Sequence, residues 1–255
     1  MSSSSNSSLL IKMIGVFLII LITFGSIFII SKQSDENSKN TPEQEAARQT
    51  AVENAKKLDP NGEKIVLTEE LLFTDYTDYY DRIQNSASVA SRYVPYIALG
   101  LGVVIGVLST LGSITKRKKR GKNVNIFVFV PAILAIVIFA GFGLFISHAV
   151  KTAADSYPNP ENATYSITTM NIVGKETKVT TDKTNRKKHR NRTITTYYIY
   201  YDNENGLRQS REVTKSTYEK VEKNGIYFMA YAEEGRLEKE FQLYDSDHYM
   251  LPVDN

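Results

Sequence analysis

The chain has 255 residues, 31 Lys/Arg against 28 Asp/Glu for a formal net charge of +3, and neither Cys nor Trp. The lack of cysteine excludes disulfides, thiolate metal sites and a cysteine nucleophile. The charge is segregated: residues 116–122 hold six cations and no acid, residues 32–93 hold eight Lys/Arg against twelve Asp/Glu, and residues 150–255 hold sixteen of each sign, which argues against an extended nucleic-acid-binding face.

The opening "MSSSSNSS" (1–8) is polar and reads as a disordered tail. Leu9–Ile30 is apolar apart from Lys12, Thr23 and Ser26. A membrane-crossing helix needs about 20 mostly apolar residues, so 9–31 is a first predicted span. Its length and the absence of a small-x-small site in "SIFIISKQSD" make it an uncleaved anchor. Residues 32–92 read as a helical segment. In "NTPEQEAARQTAVENAKKLDPNG", Thr41 can cap, Pro42 suits the first helical position and Gln44 completes a capping box. Lys56 and Lys57 close that helix, and Asp59-Pro60-Asn61-Gly62 turns the chain. Leu72, Tyr76, Tyr79 and Ile83 then repeat at helical spacing, predicting a helix that leads toward a second span. Asp75, Asp78 and Asp81 lack the alternation and glycine turn of a calcium loop and read as a solvated acidic face.

Residues 93–115 and 126–149 are the second and third predicted spans, with Pro95 and Pro131 expected in the first turns of their helices. Between them, 116–125 forms a basic turn carrying Lys116, Arg117, Lys118, Lys119, Arg120 and Lys122. Short Lys/Arg-rich loops stay cytoplasmic, so this turn is expected inside. The amino terminus is then also inside, and 32–92 and everything beyond about 150 lie outside. The same cations are suited to anionic lipid headgroups. Ala98, Gly102, Gly106 and Thr110 recur every four residues and form a smooth stripe with a GxxxG at Gly102–Gly106. The third span offers Ala132, Ala135, Ala140, Gly141 and Gly143. The stripe can seat the third span, self-associate or receive a partner helix. No Asp, Glu, Lys or Arg lies at mid-membrane, which speaks against a carrier working alone.

After the linker 150–161, with its "SYPNPEN", the periodicity becomes that of strands. "ATYSITTMNIV" (163–173), "KETKVTT" (175–181), "RTITTYYIYYD" (192–202), "LRQSREVT" (207–214), "IYFMAYAEEG" (226–235) and "RLEKEFQLYD" (236–245) are predicted strands. The third of these is apolar on both faces, as an interior strand is. "STYEKVEKNG" (216–225) reads as a helical turn or loop. The fold class is thus a membrane α-helical protein of three spans plus a small all-β domain at 162–247, an SH3-like barrel or sandwich, with a tail at 248–255.

The basic hairpin followed by "TYYIYYDNENG", "YEKVEKNGIYFMAY" and a last strand resembles small β domains appended to membrane hairpins in uncharacterised proteins of low-GC Gram-positive bacteria. The resemblance implies a cell-membrane protein and carries no catalytic residue with it. A second basic cluster, "DKTNRKKHRNR" (182–192), falls between two predicted strands. Arg186, Lys187, Lys188, Arg190 and Arg192 are candidate contacts for an envelope polyanion or lipid headgroups.

No nucleophile elbow, phosphate-binding glycine loop, His-Glu-x-x-His or paired dinucleotide glycines occur, and the three histidines are scattered. The sequence therefore points away from an enzyme and from any cofactor or metal. It points to an integral membrane protein with partners in the bilayer, another membrane protein or an envelope polymer, not nucleic acid. The leading expectation is a β domain displayed outside the cytoplasm for binding or scaffolding. The alternative is an accessory subunit of a transport or secretion complex that docks through the glycine stripe of the second span.

Overall fold

The computed structural model describes residues 40–121, 123, 126–182 and 192–252. The expected first span, Leu9–Ile30, and the polar tail before it lie outside the described residues. Two compact units emerge, one built on Tyr80–Tyr157 and the other on Thr41–Tyr79 together with the chain from Pro158 onward.

Helix α1 (Pro42–Lys57) starts as its sequence dictates. The Thr41 hydroxyl accepts from the Gln44 amide at 3.2 Å, and the Gln44 side chain accepts from the Thr41 amide at 2.9 Å. Asp59 then organises the turn. Its carboxylate accepts from the amides of Lys64 (2.7 Å), Glu63 (2.8 Å) and Asn61 (3.0 Å). These bonds, led by that of Lys64, hold the Asp59 carboxyl below its ordinary value. Strand β1 (Ile65–Val66) follows, then helix α2 (Glu69–Lys119), which is 51 residues long. The second helix of the hairpin, α3 (Val130–Ala154), is preceded by a 3-10 turn at Ile126–Val128. Both long helical stretches are long and apolar enough to cross a membrane.

The β unit contains strands β2 (Thr164–Asp182), β3 (Arg192–Asp202), β4 (Arg208–Val213), β5 (Ile226–Glu234), β6 (Leu237–Asp245) and β7 (Tyr249–Met250), with a short helix α4 (Lys215–Lys220) after β4. β2 to β6 form an antiparallel five-stranded sheet in the order β4-β3-β2-β5-β6. The expected closed barrel or two-sheet sandwich is not formed. The sheet is open, because β4 and β6 lie at its opposite edges without backbone pairing between them. A side-chain ion pair, Arg211 on β4 with Glu240 on β6, spans those edges instead. The two strands expected at 163–173 and 175–181 are one strand, β2. Gly174 marks a register irregularity against β3 rather than a turn, and its backbone stays extended enough to continue the ladder. Interior β3 lies between β2 and β4, as its two apolar faces require. β1 and β7 make a separate parallel pair, Ile65 with Tyr249 and Val66 with Met250.

Alternation along β5 supplies two cores. Phe228 and Ala230 face one way and join Tyr244 with Ala51 and Ala55 of α1, Leu67, and Leu71 and Leu72 of α2. Tyr227 and Met229 face the other way and join Met170, Ile172, Ile199, Tyr201 and Val221. The small apolar residues of α1 thus find their burial against the sheet. Tyr76 is fully buried, packs edge-on against Tyr165 and Phe241, and donates its hydroxyl to the Pro158 carbonyl at 2.8 Å.

Asp75 and Asp78 are buried rather than forming the expected solvated face. The reason at Asp75 is a polar network: Arg48 Nε donates to it at 2.6 Å and the Tyr244 hydroxyl at 2.8 Å. Burial, reinforced by the adjacent Asp75 charge, pushes the Tyr244 phenol far above its ordinary value. Removing the half-exposed Arg48 leaves the buried Asp75 carboxylate with only the Tyr244 hydroxyl, so Arg48→Ala should destabilise the fold by roughly 2 kcal/mol. The double variant R48A/D75N should recover more than half of that loss. Thermal denaturation of the detergent-solubilised chain measures both. At the Asp59 turn the carboxyl value is depressed in the folded state, so its stabilisation is present above the unfolded value and fades as pH falls through the folded one. Asp59→Asn should lower the melting temperature at pH 7, by an amount that shrinks as pH falls through the folded carboxyl value.

Candidate functional site

The helical unit is organised by what α2 and α3 place between them. Glycine and alanine let backbones approach where larger side chains would hold them apart. A Cβ placed on Gly143 would fall 2.6 Å from the Ala98 Cβ and 3.0 Å from the Pro95 Cα. One on Gly102 would fall 3.0 Å from the Phe139 Cβ, and one on Gly106 3.1 Å from both the Cα and the carbonyl oxygen of Ala132. Partners advance along α2 as they retreat along α3, so the helices run antiparallel. Two hydrogen bonds extend the seam: Gln84 Nε2 donates to the Ala154 carbonyl at 3.0 Å, and the Ser147 hydroxyl to the Ser91 carbonyl at 2.7 Å.

The second of these bonds has a local cause. Pro95 lies in the interior of α2, not in a first turn as expected, because the helix begins at Glu69 and runs through the anticipated boundary at 93. Proline has no N–H to offer the carbonyl four residues earlier. That carbonyl belongs to Ser91, and Ser147 satisfies it from the neighbouring helix. Pro131 does sit at the start of its helix.

Of the predicted stripe, Ala98, Gly102 and Gly106 all meet α3. Thr110 is buried, and its hydroxyl is the one buried side-chain polar atom without a hydrogen-bond partner among the described residues. On the third span Gly143 and Ala132 are in the seam, whereas a Cβ placed on Gly141 would meet no other element within 4 Å. The stripe is thus filled by the chain's own helix, and a partner helix using it would have to displace α3. Away from the seam, Val103, Val107, Ile133, Val137 and Phe145 are exposed. Such a surface suits hydrocarbon and not water.

The basic turn closes the hairpin. Lys116, Arg117, Lys118 and Lys119 form the last turn of α2, where cations oppose the negative helix end. Gly121 then takes a left-handed backbone at φ +64°, as a helix-terminating residue does. Lys116, Lys118, Lys119 and Arg120 are exposed and Arg117 half-buried, while Lys122 lies outside the described residues.

In the β unit, the ends of β2 and β3 outrun their other neighbours. Pairs from Lys178–Thr196 to Asp182–Arg192 have partners only in each other, forming a two-stranded arm with Val179 and Ile194 exposed. Arg192 stands at the end of this arm; Arg186, Lys187, Lys188 and Arg190 lie outside the described residues. A cavity of about 540 Å³ is bordered by Thr217, Lys220, Glu222, Tyr227, Asp245 and His248. Within it His248 Nδ1 lies 2.7 Å from Asp245. Partial burial pushes the Asp245 carboxyl up, but the combined hydrogen bonds from the His248 ring and amide outweigh it and hold the group below its ordinary value. Among the described residues no three His, Asp or Glu side chains are grouped to hold a metal ion.

No family model, curated protein or solved structure matches this chain.

Ser147, the bond it makes to Ser91 and the Arg48–Asp75–Tyr244 network were not evident from spacing. Pro95, expected in a first turn where no donor is missed, is the residue whose interior position creates the need for an external donor. Gly143→Val and Gly106→Leu should lower the melting temperature of the detergent-solubilised chain by several degrees, whereas Gly100→Val and Gly141→Val, which meet open space, should leave it unchanged.

Proposed function

We propose that this chain is a non-enzymatic integral membrane protein that displays its β unit outside the cytoplasm, for binding or scaffolding at the cell envelope. The observation that carries the reading is the hairpin itself. Its small residues face inward, its large apolar residues face outward, and its turn is built of cations. In water that arrangement would expose a long apolar surface; in lipid it needs no further cover. The charge of the turn resists transfer across the bilayer and so favours a cytoplasmic position. Both flanking segments, including the β unit, then lie on the outer side. The basic residues at 186–192, with the arm that bears Arg192, are the proposed contact for an anionic envelope polymer or for lipid headgroups, an attraction that salt would weaken.

The absence of native cysteine makes single-thiol mapping clean. Asn61→Cys and Arg236→Cys should react with a membrane-impermeant maleimide in intact cells, and Arg120→Cys only after lysis. If Arg236→Cys reacts only after lysis, the β unit is cytoplasmic and the proposal fails.

A further inference from the structure

The alternation of β3 puts tyrosine on both faces of the sheet. Ile199 and Tyr201 enter the second core, and the Tyr197 ring stands 5.1 Å from that of Tyr218 on the same side. Tyr198 and Tyr200 point the other way. The first core lies on their face, but it draws on β2, β5 and β6 and takes nothing from β3 or β4. Two aromatic rings therefore stand on a part of the sheet that neither core covers.

Residues directly opposite in an antiparallel pair share a face. Tyr200 lies between Gly174 on β2 and Ser210 on β4, both small. A Cβ placed on Gly174 would sit 3.7 Å from the Tyr200 Cδ2, and the Tyr200 hydroxyl donates to Glu176, also on β2. The ring thus leans over the glycine and along the sheet, as aromatic side chains do beside a strand glycine, with its outer face open. Tyr198 lies between Glu176 and Glu212. Among the described residues neither the Tyr198 hydroxyl nor the Glu212 carboxylate has a hydrogen-bond partner. Arg208 and Asp202, farther along the same face, hold each other.

These surroundings select the occupant by charge. Carboxylates on both sides of Tyr198 repel an anionic polymer. A protein interface needs an apolar centre, and the residues around the two tyrosines are Gly174, Glu176, Ser210 and Glu212. The face suits a polymer that carries C–H groups on its flat sides and hydroxyls on its rim. The negative face of an aromatic ring attracts polarised C–H groups, and ionised carboxylates accept from hydroxyls. We propose that the Tyr198–Tyr200 face of β3 binds a neutral glycan chain, its sugar rings stacked on the two tyrosines and its hydroxyls donating to Glu176 and Glu212. The tyrosines are two residues apart on one strand, about 6.8 Å, so one chain can engage both. The inference deepens the reading of the β unit as a binding module at the envelope and rests on it for where the glycan is met.

Full-length protein in lipid nanodiscs leaves both sides of the bilayer open and keeps sugar-headed detergents away. A neutral hexasaccharide of N-acetylglucosamine or of glucose should bind saturably, with a Kd below about 1 mM by titration calorimetry, and the one that binds identifies the sugar. Tyr198→Ala and Tyr200→Ala should each weaken binding at least about tenfold, whereas Tyr198→Phe and Tyr200→Phe, which keep the rings, should stay within about threefold of the parent. Protease resistance of each variant checks that the β unit is folded. Failure of both hexasaccharides to bind, undiminished binding by folded Y198A and Y200A, or binding of polyphosphate that these variants weaken overturns the proposal. None of these outcomes bears on the maleimide mapping, so the sidedness of the β unit stands or falls separately.

Discussion

The close approach of two helix backbones at Gly102, Gly106 and Gly143 is the constraint on which the helical unit depends. Lipid offers no hydrophobic drive to press helices together, since a leucine is as content among acyl chains as against a neighbour. What remains is dispersion over short distances and the satisfaction of polar groups. Both require small residues at matched heights. The seam has them, and its two side-chain-to-carbonyl bonds, from Gln84 and Ser147, fall in line with the glycine contacts. Pro95 belongs to the same logic. It opens a vacancy in the hydrogen-bonding of α2, and the neighbouring helix supplies the donor.

The β unit rests on a different balance. Its sheet is open, and each face is covered by separate means. One face takes α1 and the beginning of α2; the other holds a core closed by Val221 and the short α4. Polar groups are buried only where they are answered, as at Asp75, where a guanidinium and a phenol share one carboxylate. The Arg211–Glu240 pair spans the edges of a sheet whose backbones never meet.

Much of this was legible from residue order. The capping box at Thr41, the turn after Lys57, the long apolar helices, the small stripe and the two apolar faces of β3 are local patterns, and local patterns act over one or two turns of chain. Closure of the sheet was not legible. Whether six short strands make a barrel or an open sheet depends on which edges pair, and that is decided far from any one strand. Gly174 looked like punctuation yet sits within a continuous strand, because a glycine can as readily relax a ladder as end it. Asp75 looked solvated because its partners, Arg48 and Tyr244, come from distant parts of the chain. β1 and β7 are two residues each, too short for any periodicity to register.

The first core of the β unit is assembled from chain made at very different times. Leu71 and Leu72 emerge from the ribosome long before Phe228 and Tyr244, with the rest of α2 and all of α3 synthesised in between. At roughly 5–20 residues per second the early half waits on the order of ten seconds for the late half. During that interval α1 and the start of α2 have an apolar side and nothing to lay it on. That side is covered only when the last hairpin of the sheet arrives.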